Sequence, residues 1–235
     1  MGVLTVVKLG GSHAFAETLQ AWLVAIEAGA GKTVLVAGGG PFADAVRLAQ
    51  PRMGFDDSAA DEMALLAMEQ YAIAIAAVGR LFAVADSLSG IRSALRTDRV
   101  PIWAPRRMVR KARDVPASWD VTSDSLATWL AGLLEARSLL LVKRADAGDK
   151  PISAQSLAAR GVVDAAFPRF LAASGVAGFL LGPGEHRGLA EALRTGTPIG
   201  RPIGLGVAAQ SDPSYRPTGT LCRPGRWSCD DQSRT

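Results

Sequence analysis

The stretch VLVAGGGPFADAVR, residues 34–47, carries an apolar strand into a helix across three glycines and a proline. A short apolar run closed by glycine reads as a buried strand. Pro41 suits a first helical position, where its missing N–H costs nothing. The helix expected from it covers 41–49. Strand, glycine turn and helix follow one another without a spacer, which makes a βα unit. Its turn lies where open α/β sheets bind their ligands.

Upstream, VKLGGS at 7–12 follows the same plan in shorter form. A strand expected over 3–9 carries Lys8 near its end, then turns on Gly10 and Gly11 with Ser12 behind. Further strands are expected at 33–37, 81–85, 100–104, 138–142 and 178–181. Helices are expected at 14–28, 58–77, 87–96, 123–135, 153–159, 165–174 and 188–194. Ser58 and Thr122 are the expected caps of the helices they adjoin. This alternation predicts an α/β protein, a three-layer α/β/α sandwich with a mainly parallel central sheet. From 205 the chain turns rich in Gly, Pro, Ser, Arg and Asp. One domain is therefore expected over 1–204 and a disordered tail over 205–235.

The chain has 235 residues, 49% of them hydrophobic, enough for a full core. A net charge of +4 suits an enzyme that handles phosphates and is too weak alone to argue for nucleic acid. Seven basic residues lie between Arg96 and Arg113, interleaved only with Trp103. They read as a solvated surface segment rather than a nucleic-acid patch, with the possibility left open that one arginine reaches a site. Cys222 and Cys229 match no zinc spacing, and His13 and His186 do not complete one, so no structural metal is expected. No charged, then apolar, leader opens the chain, and the apolar run 72–78 is far short of the ~20 residues that span a bilayer. A cytoplasmic setting without a membrane partner is expected.

Three elements carry the chemistry. Glycines at 10–11 and 38–40 let backbone N–H groups approach an anion closely. The helix behind Gly40 adds its N-terminal dipole. Lys8 supplies a cation to oxygens that gain negative charge. The third element is Thr122-Ser123-Asp124-Ser125, which opens a helix. Asp124 is either a first-turn acid favoured by the helix dipole or the group that orients cations at a phosphate. GAGKT at 29–33 is no P-loop, because it precedes a strand instead of joining a strand to a helix. Lys32 there is expected to be a solvated loop residue.

Together VVKLGGS (6–12), VLVAGGGPFADAVR (34–47), WDVTSDSLATWLAGLL (119–134) and LLLVKRADAG (139–148) resemble the amino acid kinase family over roughly residues 3–204. WDVTSDSLA (119–127) and DAAFPRFL (164–171) are most similar to the branch that phosphorylates an aminomethylfuran phosphate for methanofuran biosynthesis. The resemblance implies ATP and Mg2+ as cofactors and a small phosphate-bearing acceptor as partner. A homo-oligomer is also expected. Lys8 and Asp124 would be catalytic. Gly10, Gly11, Ser12, Lys143 and Asp146 would face the nucleotide, and Gly38, Gly39, Gly40, Trp119, Thr122 and Ser123 the acceptor. Many members carry a Thr/Ser-Asp pair before Val-Asp-Gly where this chain has Lys143-Arg144-Ala145-Asp146. The second catalytic lysine is therefore Lys143 or Lys150.

A phosphate acceptor is already nucleophilic at neutral pH, so no general base is required and no histidine is given a role. Trp119 packs against an aromatic acceptor or serves as a core or loop residue. Asp56, Asp57, Asp61 and Glu62 form the nearest acidic cluster to a substrate ammonium, although a solvated helix start accounts for them as well. Two further functions stay open. One is a family kinase acting on a carboxylate or a nucleoside monophosphate. The other is a non-catalytic nucleotide- or oxyanion-binding protein.

Overall fold

The computed structural model describes residues 3–144 and 152–205. Asp146, Lys150, Cys222, Cys229 and almost all of the expected tail lie outside them. Three strands at the centre match their expected cores: β1 (Thr5–Leu9), β2 (Thr33–Ala37) and β5 (Ser138–Val142). All but Ser138 of their residues are buried, as strands covered by helices on both faces must be. With β3 (Phe82–Ala85), β4 (Val100–Trp103), β6 (Ile152–Ser153), β7 (Ala177–Leu181) and β8 (Arg201–Gly204) they form one sheet in the order β3-β4-β2-β1-β5-β7-β8-β6. Its pairings are parallel except for β7 with β8. The chain first builds outward from β1 through β2, then returns to place β5 on the other side of β1. The carboxyl ends of β1, β2 and β5 thus meet at a topological switch point.

The helices among the described residues are α1 (Leu19–Glu27), α2 (Gly40–Met53), α3 (Asp57–Val78), α4 (Leu88–Arg96), α5 (Arg106–Val109), α6 (Ser123–Leu133), α7 (Ala154–Ala159), α8 (Phe167–Ser174) and α9 (His186–Thr195). They cover both faces and complete a three-layer α/β/α sandwich. Val7 and Leu9 of β1 face the core that includes Trp22, Leu23 and Ile26 of α1 with Leu189 of α9. Val6 faces the opposite core, with Leu126 and Leu130 of α6 and Phe167 of α8. Side chains alternate along a strand, so Lys8 shares the face of Val6 and points toward α6. The same parity sends Lys143, two residues beyond Leu141, toward α6 as well.

Several boundaries differ from expectation. The helix expected from 14 begins at Leu19, because Gly11–His13 form a 3₁₀ turn and the next residues close further turns, such as Ala16 N–H to the His13 carbonyl. The cap of α3 is Asp56 rather than Ser58; its carboxylate accepts from Ala59 N–H at 2.8 Å. α5, β6 and β8 were not foreseen. β8 is Arg-Pro-Ile-Gly, a sequence with no alternating pattern, and it becomes a strand by pairing with β7 and β6.

Candidate active site

The two glycine turns abut. A Cβ on Gly11 would lie 2.3 Å from the Gly40 nitrogen, and one on Gly38 would lie 2.6 Å from the Gly11 nitrogen. Only glycine permits that approach. Gly40 also has φ +54°, in the left-handed region, and it begins α2 directly before Pro41. Gly10 N–H donates to the Val142 carbonyl at 3.2 Å and ties the first turn to the end of β5.

Over this junction stands a buried triad of charges. Lys8 Nζ lies 2.7 Å from Asp124 Oδ1, and Lys143 Nζ lies 2.7 Å from Oδ2. Side-chain exposures are 4% for Lys8, 5% for Asp124 and 14% for Lys143, so the triad sits out of bulk water. Burial works to raise the Asp124 carboxyl, but the two ammonium groups outweigh it and hold it below the usual carboxylate range. Burial and the neighbouring Lys8 push Lys143 down to about 8, against the pull of Asp124. Two cations on one anion leave net positive charge at the switch point. Between the two candidate lysines, the structure brings Lys143 to Asp124; Lys150 lies outside the described residues, as does Asp146.

Asp124 owes its place to a residue that sequence reasoning missed. Asp164, just before α8, accepts from Thr122 N–H at 2.9 Å, Thr122 Oγ1 at 2.9 Å and Ser125 N–H at 3.0 Å. It also accepts from the Ser125 hydroxyl. This carboxylate therefore caps α6 from another segment, and the Thr122 side chain, expected to be the cap, makes no cap bond to its own helix. The sequence signal was the Asp of DAAFPRFL, which carries no local hint of its partners.

A cavity of about 60 Å³ opens beside the second glycine turn, lined among others by Gly39, Arg47, Asp61, Trp119, Thr122 and Ser123. Ser123 Oγ approaches Gly38 as well, 3.4 Å from where its Cβ would stand. Trp119 Nε1 donates to Gln50 Oε1 at 2.8 Å, and the Arg47 guanidinium lies 4.9 Å from its ring centre. All the expected acceptor-side residues are thus gathered at the second turn.

The acidic cluster divides. Asp56 caps α3, Asp57 accepts from Gln50 Nε2 at 2.8 Å, and Glu62 pairs with Arg106 and Arg110. Asp61 is left in the cavity wall with no ion pair or hydrogen bond to a described residue. Burial, with Glu62 beside it, pushes its carboxyl up, and Arg110 opposes them. Much of the basic segment is used locally, since Arg107 also pairs with Asp86 at 3.1 Å and Arg99 donates to the Phe82 carbonyl at 2.6 Å. Lys32 donates to the Arg194 carbonyl at 2.7 Å, at the far end of α9, so it is a helix-end partner and not a phosphate ligand.

Comparison with known proteins identifies the family and the fold. The family model described as amino acid kinase family matches residues 3–147. A curated relative, [5-(aminomethyl)furan-3-yl]methyl phosphate kinase of Methanocaldococcus jannaschii, is 26% identical over 143 residues. That match covers 60% of this chain and 66% of the relative, just under two thirds of its length. The solved uridylate kinase of Archaeoglobus fulgidus superposes with a TM-score of 0.63 at 19% identity, covering 86% of this chain and 100% of that one. UMP kinase of Ureaplasma parvum gives 0.60 at 14% identity, over 87% and 100% of the two chains. An isopentenyl phosphate kinase gives 0.54 at 18% identity, over 85% and 99%. These structural likenesses establish a shared fold.

Proposed function

The chain belongs to the amino acid kinase family, and we propose that it is a phosphotransferase that moves the terminal phosphoryl group of ATP onto the phosphate of a small acceptor. The observation that carries this reading is Asp124 holding two buried ammonium groups where two glycine turns touch. Residues 1–204 are the kinase domain in this reading, the setting is cytoplasmic, and nucleic acid and membrane play no part.

In-line transfer between two phosphates needs alignment and neutralised charge more than it needs a base. Gly10 N–H is already tied to the Val142 carbonyl, so at this turn the N–H groups of Gly11 and Ser12 face the nucleotide phosphates. The turn at Gly38–Gly40 and the start of α2 receive the acceptor phosphate, with Thr122 and Ser123 beside it. Lys8 and Lys143 stabilise the oxygens of the group in flight, and Asp124 fixes their positions. No trio of His, Cys, Asp or Glu among the described residues could hold a metal ion, and lysines already occupy both oxygens of Asp124. The donor set therefore suits a Mg2+ that arrives on phosphate oxygens and water rather than one caged by protein. When bound, it neutralises phosphate charge.

The acceptor proposed is [5-(aminomethyl)furan-3-yl]methyl phosphate, converted to its diphosphate. Three things support it: the name of the curated relative, the ring of Trp119 in the cavity wall, and the carboxylate of Asp61, which makes no ion pair or hydrogen bond among the described residues and is suited to an ammonium. A homo-oligomer belongs to the same reading. Met63, Leu66 and Ile73 lie exposed on α3 at helical spacing, beside the edge strand β3. The deciding assay offers ATP and Mg2+ with the furan phosphate, UMP and isopentenyl phosphate in parallel and weighs the products. Turnover of UMP or isopentenyl phosphate in preference to the furan would overturn the acceptor assignment. Tight ATP binding with no turnover of any acceptor would make the chain a nucleotide-binding protein instead.

A further inference from the structure

His13 is the third residue of the 3₁₀ turn that follows the first glycine pair. It is 3% exposed, and neither Nδ1 nor Nε2 has a hydrogen-bond partner among the described residues. A neutral imidazole always carries one donor and one acceptor, and leaving a buried polar group unmet costs roughly 1–3 kcal/mol. The ring meets Trp22 at 6.0 Å in a T-shaped arrangement, with the planes at 76°. Its Cδ2 lies 3.7 Å from where a Cβ on Gly10 would stand, so the imidazole sits against the turn itself.

The surroundings are those of an anion site. Burial and the charges of Arg144, Lys8 and Lys143 together push His13 down to about 4, so it is uncharged at neutral pH. An uncharged N–H adds a hydrogen bond there without adding a fourth positive charge. Arg144 is the exposed member of the group, has no carboxylate partner among the described residues, and touches the Ser12 carbonyl at 3.5 Å.

We propose that His13 is a phosphate-binding residue of the nucleotide site: its neutral imidazole donates to an oxygen of the polyphosphate held between Lys8, Lys143 and Arg144. Both ring nitrogens are closed off from solvent in the free protein. The incoming phosphate draws the Arg144 guanidinium off the carbonyl of Ser12, the residue next to His13. The proposal builds on the kinase reading, in which this turn faces the nucleotide.

The test exploits two effects of opposite sign. His13→Leu removes an unmet polar group from the interior, so the free variant should melt at or above the wild-type temperature. The same variant should lose at least tenfold in affinity for ATP and for tripolyphosphate, read by calorimetry without any acceptor. His13→Gln, which keeps a donor, should recover part of that loss. Wild-type affinity in His13→Leu, with wild-type protein binding both probes, overturns the role of His13 and leaves the kinase reading standing. Wild-type protein that binds neither probe overturns the kinase reading and this inference with it.

Discussion

Replacing Asp124 with Asn keeps the shape of the side chain and removes the charge that two buried lysines share. At a helix start that loss would amount to only ~0.5 kcal/mol of dipole interaction. The structure sets a larger figure, because both partners lie 2.7 Å away and almost out of water. Removing one member of a buried pair costs about 3–5 kcal/mol. Lys143, already down at about 8, has an escape: without Asp124 its ammonium is pushed down further and sheds its proton more readily, which keeps the cost near the low end. For a domain of this size ~3 kcal/mol corresponds to a fall of roughly 6–12 °C in Tm. Turnover suffers separately, since in the variant less of Lys143 is charged at pH 7 and Lys8 has lost its fixed position. The expected drop in kcat is at least a hundredfold, about 2.7 kcal/mol of barrier.

The assay is kcat with saturating ATP from pH 6 to 9, alongside calorimetric Tm with and without ATP. Acid pH should restore part of the activity of Asp124→Asn, because Lys143 regains its proton. Saturating ATP should narrow the gap in Tm, because polyphosphate supplies the missing negative charge. A variant with near-normal kcat at pH 7 would refute the argument that Asp124 organises the reacting centre.

Lys8→Ala leaves Asp124 paired with Lys143, so the protein should stay folded while kcat falls more than tenfold, ~1.4 kcal/mol or more; a smaller loss removes Lys8 from the transition state. Asp164→Ala strands two N–H groups and two hydroxyls, and at ~1.5–3 kcal/mol for a bond to a charged acceptor its Tm should drop by several degrees. In Asp164→Asn, KM for the acceptor should rise more than kcat falls, since Thr122 and Ser123 line its cavity; unchanged kinetics would confine Asp164 to a structural role. The pH profile follows from Lys143. A required ammonium at about 8 is lost as pH rises, so kcat/KM for ATP should decline above about pH 8. Stability should move the other way: the unfolded lysine keeps its proton up to 10.5, so between those values the unfolded state binds more protons and Lys143 contributes stability that grows with pH. A flat kcat/KM through pH 9 would show that Lys143 need not be charged.

Local signals in this chain were strong wherever the cause was local. β2 and β5 match their expected spans residue for residue, because an unbroken apolar run bounded by polar or glycine residues leaves a buried strand little choice. The glycine turns were legible for a related reason: glycine in such numbers is costly to order, so its presence implies a close approach. What the sequence did not disclose is what approaches. Gly11 faces Gly40, and the two turns exclude side chains from each other. His13 stood next to Ser12 in plain view, yet what singles it out is that neither ring nitrogen finds a partner among the described residues, which depends on every neighbour in space.

The charged triad shows where the boundary falls. Strand alternation alone assigns Lys8 to the face of Val6 and Lys143 to the face of Leu141, since both follow by parity. Nothing in that parity says the two strands are neighbours. The register that pairs Lys8 with Leu141 exists because the chain returns across β1 after completing β4. Once β1 and β5 lie side by side, the lysines emerge at staggered heights on one face, and a single carboxylate at the start of α6 spans both. The helix is then held at that height by Asp164, 42 residues from Thr122 in the chain. A carboxylate so placed accepts from two backbone N–H groups that open the helix and from the hydroxyls of the same two residues. A substitution of Asp164 should therefore loosen Asp124 without touching it, and that dependence belongs to the strand order rather than to any motif.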